Sequence, residues 1–389
     1  MAVPKLRFKE FNQEWKNIVL EEVAQVERGK FSARPRNNPK YFNGNIPFVQ
    51  TGDISNSDIF IEKYSQTLNE LGLTVSKLFP PNTILITIAA NIGDSAITKF
   101  SIACPDSIVG ILVRENLSNV YFLKNILDLK KKTLDSQATQ NAQKNINLQV
   151  LKPLEISIPT LDEQTKIANF LTAVDEKISQ LNEQHQLMIQ YKKGVMQKIF
   201  NQEIRFKDDN GEDFGEWQNI QIKDIFSVTR GQVLSVSQTL EYKDDIYQYP
   251  VYSSQTKNKG LLGYYSDYLY QDAITWTTDG ANAGEVNFRK GKFYCTNVCG
   301  VLLSNKGYAN NCVSEILNSI AKRHVSYVGN PKLMNNVMSE ILINIPSDLR
   351  EQTKISDFLT ELDSKIENLA SKLDLVKKWK KGLLQQMFV

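Results

Sequence analysis

Glu163-Gln164-Thr165-Lys166-Ile167 recurs further along the chain as Glu351-Gln352-Thr353-Lys354-Ile355. A long-range repeat of this kind is read before any local pattern, because it sets how many units the fold contains. Carried on without a gap, 163–200 and 351–388 are identical at nearly half of their positions, ending on Tyr191-Lys192-Lys193-Gly194 and Trp379-Lys380-Lys381-Gly382. The match also reaches backwards. Arg7-Phe8-Lys9 and Glu14-Trp15-Lys16-Asn17-Ile18 are echoed by Arg205-Phe206-Lys207 and Glu216-Trp217-Gln218-Asn219-Ile220. Each of these Trp is followed at the same distance by Arg-Gly, at Arg28-Gly29 and Arg230-Gly231. A fainter echo sets Asn91-Ile92-Gly93 and Cys104 against Asn282-Ala283-Gly284 and Cys295, both at one common offset. The chain is a tandem duplication of one unit, a globular part followed by a helix.

The spacing of Thr160 and Glu163, and of Asp348 and Glu351, predicts a capping box at each helix start, with Pro159 and Pro346 ending the preceding strand. Apolar residues then step by four and three. Ile167, Leu171, Val174, Ile178, Leu181, His185, Met188, Lys192, Val195 and Ile199 form one stripe. Ile355, Leu359, Leu362, Ile366, Leu369, Leu373, Val376, Lys380, Leu383 and Met387 form the other, position for position. A 3.5-residue period held over about five heptads is a coiled-coil seam. Each stretch predicts a rod of about 57 Å. The simplest partner for one rod is its repeat, packed antiparallel about an internal pseudo-two-fold that returns the C-terminus towards the N-terminus. At Lys192 and Lys380 the expected arrangement is a packed stem with the ammonium reaching out to water.

Composition narrows the class. Of 389 residues, 41 % are apolar and 23 % charged, with a formal charge of +3 and four Cys. Disordered, fibrous and disulfide-scaffold classes are excluded. The start lacks a signal-like apolar stretch, and the longest apolar run, Ile84 to Ala90, falls short of the roughly 20 residues of a membrane span. A soluble, cytoplasmic protein with no membrane partner is expected. The fold class expected is α+β (mixed α/β), with two strand-rich globular domains in tandem and two long helices in an intramolecular antiparallel coil. The expected bounds are 1–158, 159–201, 202–345 and 346–389. Ile84–Ile88 and Ala273–Thr277 read as strands, Asn119–Lys132 and Cys312–Arg323 as short helices.

The loops between these elements are unevenly charged. The segment 28–40 carries Arg28, Lys30, Arg34, Arg36 and Lys40 and contains no acid. Amides and cations mix in both globular parts. Lys and Arg neutralise phosphates, while Asn, Gln and Arg can pair with base edges. The candidate DNA contacts on this ground also include Gln50, Thr51, Asn91, Gln137, Thr139, Gln140, Asn141 and Lys144 in the first copy. In the second copy they are Arg230, Tyr252, Ser253, Ser254, Gln255, Lys257, Asn258, Thr278, Asp279, Asn282, Asn330 and Lys332. Catalytic signals are weak. His185 and His324 have no repeat-related nucleophile or acid, and no phosphate-loop motif occurs. Cys295, Cys299 and Cys312 have untypical zinc spacing and read as buried thiols. Pro105-Asp106 with Asp128-Leu129-Lys130 is a short nuclease-like pattern absent from the second copy, better explained by a turn and a helix surface.

The order globular–helix–globular–helix resembles the specificity subunit of type I restriction-modification enzymes. The resemblance spans the chain and rests on Ile158-Pro159 with Glu163-Gln164, Ile345-Pro346 with Glu351-Gln352, and the two Lys-Lys-Gly helix ends. Pro250-Val251-Tyr252-Ser253-Ser254-Gln255 and Thr277-Thr278-Asp279-Gly280-Ala281-Asn282 are similar to strings of its target-recognition domains. The resemblance implies a non-catalytic subunit of a bacterial or archaeal DNA-associated complex. Each globular domain would read one half of a split double-stranded DNA target, and the helices would set the spacer. Two modification subunits would dock and methylate with S-adenosylmethionine, and restriction subunits would use ATP and Mg; this chain itself would hold no cofactor. A DNA nuclease or methylation-linked enzyme acting alone, and a coiled-coil adaptor without DNA affinity, are the alternatives.

Overall fold

The computed structural model describes residues 3–138, 145–254 and 257–389. The chain forms two compact units, 1–181 with 372–389, and 182–371. Each unit therefore holds one globular part and a portion of each long helix.

In the first unit a five-stranded sheet runs in the order Ala24–Arg28, Ile108–Val113, Thr83–Thr87, Ser95–Thr98, Phe60–Ile61. Its central strand Thr83–Thr87 is buried throughout, which is why it reads as a continuous Thr-Ile-Leu-Ile-Thr run rather than an alternation of apolar and charged residues. A smaller sheet joins Gln66–Leu68, Phe42–Phe48, Ile102–Ala103 and Leu78–Phe79. The helix Val120–Gln137 opens on Asn119, whose side chain accepts from the amides of Tyr121 and Phe122. Its Phe122, Leu123 and Leu127 join the sheet's Ile84, Ile86, Val109 and Ile111 in one core.

The second unit has one six-stranded sheet, ordered Ser227–Arg230, Cys299–Leu303, Tyr270–Thr277, Val286–Cys295, Tyr249–Tyr252, Leu261–Tyr265. The helix Asn311–Ala321 packs Val313, Ile316 and Leu317 against Ile274, Trp276 and Leu302. The Arg-Gly echo has a steric cause. A Cβ at Gly29 would lie 2.3 Å from the Pro105 carbonyl oxygen and 2.8 Å from that of Cys104, and one at Gly231 would lie 2.3 Å from that of Cys295. Only glycine permits the backbones to approach this closely.

The rods are the helices Leu161–Phe200 and Leu349–Met387, of 40 and 39 residues. Every seam position named from the sequence is buried or half-buried. Within the first unit Ile167, Leu171 and Val174 share a core with Leu383 and Met387; within the second, Ile199 shares one with Ile355 and Leu359. Burying each such side chain contributes about 1.5–3 kcal/mol. Two repeat-related ion pairs mark the antiparallel sense. Lys380 lies 2.6 Å from Asp175, and Lys192 lies 2.8 Å from Asp363. The step up the first rod from Asp175 to Lys192 is thus matched by an equal step down the second from Lys380 to Asp363.

Both seam lysines depart from expectation. Lys192 and Lys380 are only 15 % and 20 % exposed, and each ammonium binds a carboxylate of the opposite rod instead of reaching water. The glutamate halves of the capping boxes are also replaced, although Asp348 still accepts from the Arg350 amide. Glu163, 1 % exposed, accepts from Arg7 and from the Trp15 indole, and Glu351 accepts from Arg205. The same arginines donate to the Gln13 and Gly215 carbonyls. A buried carboxylate gains more from a guanidinium than from one backbone amide, so the tertiary pair wins over the local cap. It also explains why Arg7 and Glu163 recur together as Arg205 and Glu351; the Trp15 bond is not repeated, since the Trp217 indole nitrogen is buried without a hydrogen-bond partner among the described residues. Gln164 and Gln352 donate to the carbonyls of Pro159 and Pro346, fixing the turn into each rod. The chain's end returns to its beginning within the first unit: the Leu6 amide donates to the Gln386 carbonyl, and Phe388 packs on Trp15 and Phe122. Among the described residues no helix is long and apolar enough to cross a membrane.

Candidate nucleic-acid interface

Three segments meet in each unit, two of them joined by the same backbone bonds and the other tied on by a repeated asparagine. The first is the loop that leaves the central strand. Gly93 donates to Thr87 and Thr87 to Asp94; likewise Gly284 donates to Thr277 and Thr277 to Glu285. The two glycines have φ of 85° and 81°, as this turn requires.

The second segment is tied on by the repeated asparagine. The Asn91 amide donates to Ser55 Oγ at 3.0 Å, at the end of the short helix Thr51–Ser55, and the Asn282 amide donates to the Ser254 carbonyl at 3.1 Å. The third docks by its backbone. Ile146 donates to Ile88 and Leu333 to Thr278, with bridges between Ala89 and Asn145 and between Asp279 and Lys332. Gln50, Thr51 and Asn91 are thereby gathered in the first unit, and Ser253, Ser254, Asp279, Asn282 and Lys332 in the second.

The candidates differ in what remains available to a ligand. Gln50 and Thr51 are half-buried, and Gln50 also donates to Gln66 at 3.0 Å. Asn91, Asn258 and Asn330 are exposed. Thr278 is fully buried, with its hydroxyl engaged by Asp279 and the Val298 carbonyl, so it shapes the loop and is removed from the set of base contacts. Asp279 lies 3.7 Å from Lys332, so that cation is partly neutralised. The Ser253 hydroxyl accepts from Thr296. Gln137 stands exposed in the last turn of the helix Val120–Gln137, which runs further than 132, and not in a loop. Arg230 ends a strand, its carbonyl accepting from Tyr270. Thr139, Gln140, Asn141, Lys144 and Gln255 lie outside the described residues, as does the Lys257 side chain.

The stretch Arg28 to Lys40 is exposed at all five cations. It is less one-sided than its sequence suggests. Asp106, distant in sequence, pairs with Arg36 at 2.8 Å, and its carbonyl accepts from Arg28. Arg34 donates to the Ala33 carbonyl, and Lys40 lies 4.9 Å from the centre of the Tyr41 ring.

Sequence patterning offers no sign of Arg289, which is 8 % exposed. Its guanidinium stacks on Tyr252, with the central carbon 3.7 Å from the ring centroid. Burial pulls this guanidinium below its ordinary range. Tyr252, proposed as a contact, thus has one ring face occupied from within. The four Cys are buried, and burial pushes their thiols up, Cys299 to about 11. Among the described residues no group of three or more His, Cys, Asp or Glu could hold a metal.

Two tandem units, each with a polar three-segment cluster and a portion of both long helices, define a duplicated recognition subunit. A family-wide sequence profile described as the type I restriction modification DNA specificity domain matches residues 12–190 and 215–378, and the chain belongs to that family. A putative type I specificity subunit of Mycoplasma pneumoniae is 30 % identical over 246 residues, covering 60 % of this chain and 86 % of that one. The crystal structure of the S subunit of a type I restriction-modification system from M. genitalium superposes with a TM-score of 0.68 at 18 % identity, covering 99 % of both chains. A second structure, from work on complex assembly and conformational transition of the type I system, gives a TM-score of 0.59 at 13 % identity over 97 % of this chain and 98 % of that one. The role of this family is sequence-specific DNA recognition for a restriction-modification complex.

Proposed function

We propose that each unit reads one half of a bipartite double-stranded DNA target through its three-segment cluster, while the rods hold the spacing between the halves. The observation that carries this is the repetition of the cluster around Asn91 and Asn282, with the same turn and docking bonds of the backbone and an asparagine amide tying on the second segment in each unit. Clustered amide and hydroxyl side chains supply direct base readout, and the exposed run from Arg28 to Lys40 supplies phosphate contacts that set register. The subunit performs no chemistry of its own. Methylation with S-adenosylmethionine belongs to two docked modification subunits, and ATP- and Mg-dependent cleavage to restriction subunits, in the bacterial or archaeal cytoplasm.

A repeated apolar pair supports the docking. Leu187 and Tyr191 on the first rod are 56 % and 54 % exposed, and their repeat equivalents Leu375 and Trp379 on the second are 64 % and 52 % exposed. Each pair is one helical turn apart beside the seam, and Trp379 also meets the edge of Phe170 on the first rod. One such pair per unit fits one modification subunit per unit.

Methylome sequencing of a host with and without the gene, modification subunits present in both, tests the assignment. A single bipartite motif appearing with the gene is expected. Cleavage or methylation by the purified chain alone would favour the enzyme alternative, and absence of salt-dependent DNA binding the adaptor.

A further inference from the structure

We propose that Arg289 is a positioning residue for DNA reading by the second unit, tying the Tyr252 ring to the turn 258–260. This rests on the DNA-reading assignment above and deepens it by naming what fixes that loop.

Arg289 sits on the strand Val286–Cys295, opposite Ala273. Its described partners are all neutral. Nε donates to Thr275 Oγ1 at 3.0 Å, Nη2 donates to the Lys259 carbonyl at 2.7 Å, and the plane lies on the Tyr252 ring. Glu285 adds a longer-range attraction, but a buried guanidinium with no described carboxylate bonded to it is costly, which points to a role other than stability.

The first unit supplies an internal comparison. Strand register places Thr98 where the second unit has Arg289: Ile84 pairs with Ile97 as Ile274 pairs with Phe288, one residue before each. Thr98 is also fully buried, and its hydroxyl accepts from the Thr83 amide and donates to the Pro80 carbonyl. A small neutral side chain therefore satisfies this position of the sheet. The charge is peculiar to the second unit.

What the guanidinium reaches is the candidate reading loop. Asn258, Lys259 and Gly260 have φ of 52°, 51° and 86°, three successive left-handed residues of which only the last is glycine. L side chains hold this conformation only when their surroundings impose it. The loop's ends are fixed by the Ser253 amide on the Gly260 carbonyl and by Asn282 on Ser254. Arg289 fixes its inner turn, since the Lys259 carbonyl is aimed inward onto Nη2. The fork joins the Tyr252 ring at the loop's start to the Lys259 backbone near its end.

The test uses the full chain with modification subunits, methylating a DNA library randomised across the target. R289M removes the donors and the charge at similar volume; R289K keeps the charge and loses the fork. Both are expected to leave the first half-site, the spacer and non-specific affinity unchanged, and to relax discrimination within the second half-site roughly tenfold or more. A folded R289M with the wild-type pattern would overturn the proposal, and so would full rescue by R289K, which would make charge alone sufficient. If R289M does not fold, T275V removes the acceptor of Nε without touching a candidate DNA contact and is expected to relax the second half-site in the same sense; an unchanged pattern in T275V would count against the proposal equally. A wild-type complex that methylates without sequence preference would instead refute the DNA-reading assignment.

Discussion

The two repeat-related ion pairs of the rods differ in one respect, and the difference predicts unequal costs for equivalent substitutions. Lys192 binds Asp363 and also Glu315, both at 2.8 Å. Lys380 binds Asp175 at 2.6 Å, and the second group on that carboxylate is the Tyr121 hydroxyl, which cannot replace a lost charge. D175N therefore strands an ammonium that is 20 % exposed, whereas D363N leaves its counterpart paired with Glu315. Breaking a fully buried pair from one side costs about 3–5 kcal/mol. Residual exposure, and the hydrogen bonds an Asn retains, reduce that to about 2 kcal/mol for D175N and to below about 1 kcal/mol for D363N. For a unit of this size, about 2 kcal/mol lowers Tm by about 4–8 °C. Calorimetry of the full chain gives the Tm values, and amide exchange assigns each loss to its unit. Replacing the pair by apolar residues, D175L with K380M, should return stability to within about 1 kcal/mol of wild type. Equal losses in D175N and D363N, or a larger one in D363N, would refute the claim that Glu315 backs up the second pair.

Replacing Arg34 and Arg36 with Ala should weaken binding to all DNA sequences alike and flatten the salt slope by about one to two units, while D106N, which frees Arg36, should strengthen it; both are read from binding titrations across salt. Grafting a different sequence into 205–344 should change one half of the methylated motif and leave the other half and the spacer as they were, as long-read methylome sequencing would show. Burial pulls the Lys192 ammonium down, but Glu315 and Asp363 together raise it above its ordinary value of 10.5. Its contribution is therefore complete below that value and is lost as pH rises through the raised one, so the alkaline fall in stability should be shallower in K192M in a pH-dependent melting series.

The rods are legible because every position along them answers to the repeat. A 3.5-residue period, an ungapped match and identical ends each specify the same helix, and burial follows the seam residue by residue. Glu163 and Glu351 read as local caps because spacing within one helix is all that a short window offers. Their true partners, Arg7 and Arg205, lie at the opposite end of each repeat and become visible only when residues shared by both copies are asked to explain one another. Asp106 escapes notice for the same reason: a run without acids in sequence can still be met by an acid from another loop.

The candidate site divides along the same line. Asn91 and Asn282 can be picked out because the repeat preserves them, and in the structure each amide ties a second segment to the turn, on Ser55 Oγ and on the Ser254 carbonyl. Arg289 cannot, because its counterpart is Thr98 and no pattern connects the two. Loops that read different half-sites are under no pressure to agree, whereas sheet glycines such as Gly29 and Gly231 face the same collision in both copies. Shared residues such as Gly29 and Gly231 thus answer to the scaffold, while the difference between Arg289 and Thr98 at one register-equivalent buried position is what we connect to reading. A buried charge in one copy opposite a neutral hydroxyl in the other is informative, because packing alone would have favoured the hydroxyl in both.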